Sequence, residues 1–254
     1  MDKAKITVSK FVKNYLNGNI QNLVNFNIEQ LKGNREYGAC NGRSFDCDNT
    51  NLSRAIYALV FDDVWQNMNY QTLGECKYRG DTINTFNTTF GKPAKEGGFF
   101  GINKFSPSEA LLDRVKKCYS LFHTIGNMMV LPNGFIGRQS LNTFRGSYPF
   151  WRDYMDKFLI ALYEHQKKGF TNNNASFNQL MKLNNKDFNP YCGHNGFQLL
   201  MNKLLLDEYL DKNGKPKDLF NVVYYWKKGL LKKEYIYHIS CYLDFCEGFI
   251  QRRG

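Results

Sequence analysis

No stretch of this sequence approaches the run of about 18 consecutive apolar residues that a membrane-spanning helix requires. The N-terminal residues, MDKAKITVSKFVKNYLNGN, contain neither an apolar segment nor a small-residue cleavage site, so we expect no secretory signal. The seven cysteines are odd in number and irregularly spaced, which does not fit the disulfide framework of a secreted domain. These absences favour a cytoplasmic protein with reduced thiols and no membrane partner.

The sequence also lacks the short motifs of the commonest nucleotide-binding and hydrolytic sites. It contains no G-x-x-x-x-G-K-[ST] phosphate loop, no G-x-G-x-x-G dinucleotide fingerprint, no H-E-x-x-H zinc motif and no G-x-S-x-G nucleophile elbow. No C-x-x-C pair is present, which removes the strongest signature of a structural zinc site. We therefore predict no cofactor, and the sequence does not establish whether the protein is an enzyme.

The composition is that of a folded domain. Hydrophobic residues make up 43% of the 254 positions and aromatic residues 16%, which is enough apolar surface to offset the entropy of ordering the chain. Neither an internal repeat nor a strand–helix–strand alternation is present, so we do not expect a doubly wound parallel sheet. We predict a single helical domain over residues 1–254, with surface loops at 91–103 and 169–175.

Helical periodicity dominates the pattern of apolar residues. Thr50 follows Asp48 and Asn49 in the cap region of one helix, and Ser106 begins a capping box that leads into another. Gly126 is expected to end this second helix in a left-handed conformation. A strand is predicted from Asn127 to Leu131, paired with a partner between residues 137 and 144. The fold class is therefore mainly α, with a small β-hairpin element near residues 127–144. The predicted helices span 52–68, 106–123, 149–164, 197–210 and 235–250.

The net charge of +11 indicates a basic surface that attracts phosphate groups. Lysines near the C-terminus are interleaved with aromatic residues 224–226, a pattern typical of nucleic-acid binding. The alternative is a lysine-coated helix whose aromatic side chains face inward, in a helical protein–protein interaction module without a ligand. The predicted nucleic-acid-binding residues are Lys227, Lys228, Lys232 and Lys233.

A second basic feature lies in the segment KYRGDTINTFNTTFGKP. Asp81 or Thr82 is predicted to cap a helix that ends near Gly91, and Arg79 precedes this cap. A helix N-terminus beside an arginine is a suitable seat for phosphate, although the arginine alternatively pairs with Asp81 and orders a turn. The predicted phosphate-binding residues are Arg79, Thr82, Asn84 and Arg145.

Two groups of residues have metal-like chemistry. Cys192, His194, His238 and Cys241 would supply two thiolates and two imidazoles to a zinc ion. The alternative is a pair of core cysteines with two ordinary histidines, and we predict no metal site on this basis. The sequence Asp46-Cys47-Asp48 contains paired carboxylates that suit Mg²⁺, but helix capping by Asp48 explains it equally well.

Two motifs resemble an uncharacterised family of bacterial proteins, a domain of unknown function. They are RGDTIN at residues 79–84, within a GDTINTF-like stretch, and HTIGN at residues 123–127, followed by Arg145-Gly146 and Asp153-Tyr154. Order and spacing are similar over roughly residues 75 to 165. Because that family has no assigned activity, the resemblance implies a bacterial or phage cytoplasmic protein and nothing about a reaction.

A shorter resemblance raises the question of catalysis. Ile125-Gly126-Asn127, Leu131 and Asn133 resemble the IGN segment of metal-dependent HNH nucleases. The H-x-x-P part of that family's motif is absent here, so the general base would be His123, with Asp81 and Asn127 as further catalytic candidates. The competing interpretation makes His123 a structural corner at a helix C-terminus, where its ring bonds to exposed carbonyls or to Asn127.

Overall fold

The computed structural model describes residues 2–74, 77–84, 108–133, 141, 155–168, 175–219 and 236–253. Within these ranges most of the regular structure is helical, and a single pair of short strands accompanies it. The mainly α fold class is therefore confirmed. The helices are α1 Asp2–Tyr15, α2 Asn51–Val60, α3 Tyr70–Gly74, α4 Glu109–Ser120, α5 Met155–Lys168, α6 Ala175–Leu183, α7 Asn185–Phe188, α8 His194–Lys203 and α9 Ile236–Arg252.

The helix starts follow from local capping. The Thr50 hydroxyl accepts a hydrogen bond from the Ser53 amide at 3.1 Å, as its place before α2 predicts. At α4 the cap is Ser108, whose hydroxyl accepts from the Leu111 amide, so the helix begins two residues later than the capping box at Ser106 predicts. The connections between these helices and strands contain six short 3₁₀ helices among the described residues: Ile20–Leu23, Ile28–Leu31, Cys47–Asn49, Ile125–Asn127, Asn189–Tyr191 and Asp207–Tyr209.

The strand predicted at Asn127 to Leu131 is present as β2, Met128–Pro132, and among the described residues it pairs with a segment that was not predicted to be a strand. β2 pairs antiparallel with β1, Tyr78–Thr82, so that Gly80 lies opposite Val130. The prediction of a helix cap at Asp81 or Thr82 is therefore wrong. A long-range backbone ladder occupies these residues, and local sequence preference does not reveal such a ladder. The proposed partner region 137–144 lies outside the described residues except for Leu141.

Three of the predicted helices end earlier in the structure than their apolar periodicity predicts. α2 stops at Val60, and residues 61–68 form turns that still bury Val64 and Trp65. The Trp65 indole N–H donates to the Val130 carbonyl of β2 at 3.0 Å, so a contact with the sheet fixes this side chain although Trp65 itself lies outside a helix. α4 stops at Ser120 and α8 at Lys203.

Gly126 does not end a helix in a left-handed conformation, and that prediction is wrong. It lies in the 3₁₀ turn Ile125–Asn127, where a Cβ atom would come within 2.6 Å of the Ile250 carbonyl oxygen and 2.8 Å of the Val24 side chain. A glycine is required here because the C-terminal helix α9 packs directly against the backbone of this turn.

The buried apolar side chains form one connected cluster that extends from Ala4 in α1 to Ile250 in α9. α1 packs on α2, and α9 packs on both α4 and the turn Ile125–Asn127. The segments predicted as loops at 91–103 and 169–174 lie outside the described residues, and Ala175 begins α6. Among the helices described, none has the length and apolarity needed to cross a membrane.

Candidate anion-binding site

Three arginines meet at a cleft that begins with the turn Cys40–Arg43. Asn41 and Gly42 both have positive φ, and the Arg43 amide closes the turn on the Cys40 carbonyl at 3.1 Å. An Asn-Gly pair suits such a turn because both residues tolerate the left-handed conformation. The Cys40 thiol lies 3.4 Å from the Asp46 amide and holds the far end of the loop. The turn thereby presents the exposed Arg43 at the mouth of the cleft.

Arg54 forms the deep wall of the cleft. It is the only charged residue of α2, and only 4% of its surface is exposed. Its guanidinium donates to the side-chain oxygens of Asn41, at 2.9 Å, and of Asn51. No carboxylate among the described residues pairs with it. A buried cation that is solvated only by neutral amides retains most of its attraction for an anion.

Arg79 closes the cleft from the side of β1. One of its guanidinium nitrogens lies 3.1 Å from the Asp46 carboxylate, which also accepts from the Asn49 side chain at 2.8 Å. Asn49 in turn accepts from the Gly80 amide. Gly80 allows this close approach, because a Cβ there would come within 2.0 Å of the Asp48 carbonyl oxygen. Asp46 therefore positions Arg79 and neutralises only part of the local positive charge.

We call this cavity the arginine cleft. Its volume is about 260 Å³, and Asp46 is the only carboxylate among its lining residues. A wider groove of about 930 Å³, the outer groove, shares Arg54 and Asn41 with it and adds Lys3, Lys10 and Tyr70. The residues that line the arginine cleft are Cys40, Asn41, Arg43, Ser44, Phe45, Asp46, Asn49, Arg54, Leu73 and Arg79.

The electrostatics of the two cavities favour an anion. Together they present five basic side chains and two carboxylates, Asp46 and Glu36. The Lys3 ammonium lies 5.4 Å from the centre of the Tyr70 ring, and the Arg54 guanidinium lies 5.7 Å from it. Cation–π attraction to one ring holds these like charges close to each other. The Nε–H groups of Arg54 and Arg79 are buried and bond to no acceptor among the described residues.

The N-terminus of α2 does not contribute free amides to this site. The Asn51 and Leu52 amides donate to the carbonyls of Ala39 and Tyr37, and the Ser53 amide donates to the Thr50 hydroxyl. Any anion in the arginine cleft is therefore held by guanidinium groups and side-chain amides, not by a helix terminus.

Of the predicted phosphate-binding residues, only Arg79 lines the arginine cleft. Thr82 and Asn84 are buried, at 2% and 0% exposure, because Thr82 is the last residue of β1 and Asn84 follows that strand. Asp81 is buried as well, and its carboxylate accepts from the Thr82 amide at 2.9 Å. Arg145 lies outside the described residues. No helix begins at Asp81 or Thr82, because both belong to β1, and Arg79 keeps its predicted role as a candidate.

Asn127 joins the two motifs that the sequence singles out. Its side-chain amide donates to the carbonyls of Asn84, at 2.9 Å, and Phe122, at 3.0 Å, and its side-chain oxygen accepts from the Asn84 amide at 3.0 Å. Its backbone carbonyl accepts from the Ile83 amide at 2.7 Å. Asn127 is completely buried, so it fastens residues 79–84 to residues 123–127.

His123 lies apart from the arginine cleft. Its Nδ1 atom is 2.7 Å from the Glu29 carboxylate, and its carbonyl accepts from the Ile28 amide at 3.0 Å. The partner of the ring is therefore Glu29, and not the Asn127 side chain or the helix carbonyls that the corner interpretation names. Neither His123 nor Asp81 is among the residues that line the cleft around Arg79.

The remaining predicted residues are only partly described. The lysine cluster Lys227, Lys228, Lys232 and Lys233 lies outside the described residues. Cys192 and Cys241 are exposed free thiols, and the side chains of His194 and His238 are not described. The zinc hypothesis for these four residues and the nucleic-acid hypothesis for the lysines stay predictions.

Arg43 and Arg54 are functional candidates that the motifs above do not identify. The Asn-Gly pair before Arg43 is a recognisable turn signal, and Arg54 stands out as one charge within an otherwise uncharged helical segment. Their convergence with Arg79 depends on the packing of β1 against the turn Cys47–Asn49 and is not visible in the sequence. Comparison of the chain with protein-family models, curated proteins and solved structures yields no match.

Proposed function

We propose that this protein binds a phosphate-bearing ligand, a nucleotide or a nucleic acid, in the arginine cleft, and that it does so in the cytoplasm. The observation that carries the proposal is the convergence of Arg43, Arg54 and Arg79 on one cavity with a single carboxylate. Planar guanidinium groups match the oxygen geometry of phosphate. The positive charge of three such groups around one cavity is greater than one carboxylate can neutralise.

The burial of Arg54 strengthens this proposal. Placing an arginine at 4% exposure without a carboxylate partner among the described residues costs solvation energy, and a bound anion would restore it. The buried Nε–H groups of Arg54 and Arg79 leave each guanidinium with a donor that a small rotation would turn toward a phosphate oxygen.

The outer groove extends the proposed site beyond one phosphate. Lys3 and Lys10 are exposed, and with Arg54 they continue the positive charge outward from the cleft. A mononucleotide would occupy the arginine cleft alone, whereas a single strand would also place phosphates along the outer groove. The two ligands are therefore distinguished by their dependence on Lys3 and Lys10.

The test is a fluorescence-anisotropy titration with a fluorescein-labelled single-stranded oligonucleotide, with ATP and inorganic phosphate as competitors. We expect the double variant Arg43→Gln, Arg79→Gln to bind at least about tenfold more weakly, because each lost charge-assisted contact is worth about 1.5–3 kcal/mol. The matched control is Lys32→Gln, Arg35→Gln, which removes the same charge from exposed positions outside both cavities.

The salt dependence and the competitors separate the outcomes. A nucleic-acid ligand predicts affinity that falls steeply with salt and with Lys3→Gln, Lys10→Gln, whereas tight competition by ATP without that loss indicates a nucleotide. An equal effect of the control variant, or no binding of any of the three probes by the parent protein, would contradict the proposal. The interaction module without a ligand would then be the better description.

The lysine cluster near the C-terminus is tested separately. Replacing Lys227, Lys228, Lys232 and Lys233 by Gln should weaken oligonucleotide binding equally for every base sequence, since phosphate contacts position a strand without reading it. Binding that depends on these lysines and not on Arg43 and Arg79 would move the proposed site from the arginine cleft to that segment.

A further inference from the structure

A carboxylate, a thiol and an imidazole, all of which can bind a metal ion, meet beside the 3₁₀ helix Cys47–Asn49. Potential ligand atoms of Glu29, Cys47 and His123 all lie within 4.8 Å of one another. Among the described residues, no other group of three or more His, Cys, Asp and Glu side chains meets in this way. The residues come from three separate segments of the chain, so the cluster is a product of the fold.

The backbone fixes the relative positions of Glu29 and His123. The Ile28 amide donates to the His123 carbonyl at 3.0 Å, and Asn27 and Thr124 form an isolated antiparallel bridge beside it. The Asn27 side chain accepts from the Glu29 amide at 2.9 Å, which starts the 3₁₀ helix that carries Glu29. Both side chains thus extend from one short piece of paired backbone.

Cys47 is fixed independently. It begins the 3₁₀ helix Cys47–Asn49, and its carbonyl accepts from the buried Ser53 hydroxyl at 2.7 Å. The thiol side chain is 5% exposed, whereas Glu29 is exposed and His123 is partly exposed. The sulfur therefore closes the site from the inside, and the carboxylate and the imidazole face its entrance.

We propose that Glu29, Cys47 and His123 bind a divalent transition-metal cation, zinc above all. One thiolate, one imidazole and one carboxylate are a ligand set that zinc accepts, and a water molecule would complete the tetrahedron. Sulfur and nitrogen ligands exclude Mg²⁺ and Ca²⁺ as preferred occupants, because both ions require oxygen. The proposed site shares no residue with the predicted Cys192, His194, His238 and Cys241 group.

The geometry needs only a small adjustment. Bond lengths of about 2.0–2.3 Å place the ligand atoms of a tetrahedral zinc site about 3.5 Å apart. The His123–Glu29 contact of 2.7 Å must open, and the wider separations must close. The Glu29 side chain is 57% exposed, so it has room to change rotamer without disturbing the core.

The local charge also favours a cation. The carboxylates of Asp48, Glu29 and Asp46 all lie close enough to the Cys47 thiol to act on it electrostatically. Their negative charge attracts a dication, and a bound metal would take the place of the thiol proton.

The test uses cobalt as a spectroscopic substitute for zinc. Titrating the metal-free protein with Co²⁺ should give one equivalent of tetrahedral cobalt with a thiolate-to-metal charge-transfer band, and Zn²⁺ should then remove the band. We expect Cys47→Ser to abolish it and Cys118→Ser to leave it unchanged. Cys118 is a suitable control because it is a buried free thiol of α4 that is not part of the cluster.

A surface variant keeps the test valid if Cys47→Ser fails to fold. Glu29→Gln should retain the circular dichroism spectrum and lower cobalt affinity at least about tenfold, and Glu36→Gln, which changes an exposed carboxylate outside the cluster, should not. No stoichiometric cobalt binding would overturn the proposal. So would a charge-transfer band that survives Cys47→Ser and disappears with Cys192→Ser, Cys241→Ser, because that result would assign the metal to the other group.

Discussion

Asn127 shows at the scale of one residue how this fold is specified. Its side chain uses both amide hydrogens and its oxygen on backbone groups of Asn84 and Phe122, and it is completely buried. No other side chain offers two donors and an acceptor in this shape except glutamine, which is one carbon longer. These hydrogen bonds hold the IGN segment against the RGDTIN segment. This structural role accounts for Asn127 without a catalytic function.

Asn127→Asp should destabilise the protein by about 3 kcal/mol or more. The change replaces two donors by acceptors that face the carbonyls of Asn84 and Phe122, so that buried polar groups lose their partners. Urea denaturation followed by circular dichroism measures the free energy of unfolding. The control Asn22→Asp makes the same chemical change at an exposed position and should have little effect. If the two variants were equally stable, the hydrogen bonds of Asn127 would not have this stabilising role.

At the scale of elements, the end of α8 contains a residue in an unfavourable conformation. Leu205 has φ of 57°, and the Leu206 and Leu205 amides donate to the carbonyls of Met201, at 2.7 Å, and Asn202, at 2.9 Å. This is the Schellman arrangement of hydrogen bonds, in which glycine normally takes the position of Leu205. A leucine there carries the steric cost of a left-handed backbone.

Leu205→Gly should be about 1 kcal/mol more stable than Leu205→Ala. Both changes remove the same side chain, which is 41% exposed, but only glycine relieves the left-handed strain. The comparison cancels the loss of apolar contacts, and thermal unfolding of the two variants measures the difference. An alanine variant as stable as the glycine variant would mean that the backbone carries no such cost.

Five of the nine described helices were predicted from the sequence, whereas α1, α3, α6, α7 and the strand pairing were not. Apolar periodicity identifies the helices around residues 56, 115, 158, 200 and 243 because each buries one face, and that requirement is local. Their ends are less accurate where a tertiary contact replaces the helix, as with Trp65 and Val130. β1 resembles a helix start because Asp81 and Thr82 are common capping residues, and its true partner lies far along the chain.

At the scale of the whole molecule, both candidate sites depend on contacts between distant segments. Arg79 was predictable from its motif, but the cleft also needs Arg43 from a turn and Arg54 from α2. His123 was recognised as unusual, yet Glu29 and Cys47 carry no motif that indicates their proximity to it. Spacing in a sequence predicts which residues share one helix, and it does not predict which loops meet.

The C-terminal helix is fastened to the rest of the fold by Arg253. Its guanidinium donates to the carbonyls of Gly126 at 3.0 Å, Met128 at 2.6 Å and Leu204 at 2.7 Å. It also lies 5.5 Å from the centre of the Phe249 ring. Burial lowers the pKa of Arg253 to about 9, which still leaves the side chain charged at neutral pH. This one residue joins α9 to the start of β2 and to the end of α8.

Arg253→Gln should therefore lower the free energy of unfolding by about 3 kcal/mol, because carbonyls from two other parts of the fold lose a charged donor. The neighbouring Arg252 provides the control, since its guanidinium pairs with Glu208 on the exposed surface, where ion pairs contribute little. Arg252→Gln should leave the midpoint of urea denaturation almost unchanged, with the same slope in both variants. If the two substitutions cost the same, the carbonyl contacts of Arg253 contribute no net stability.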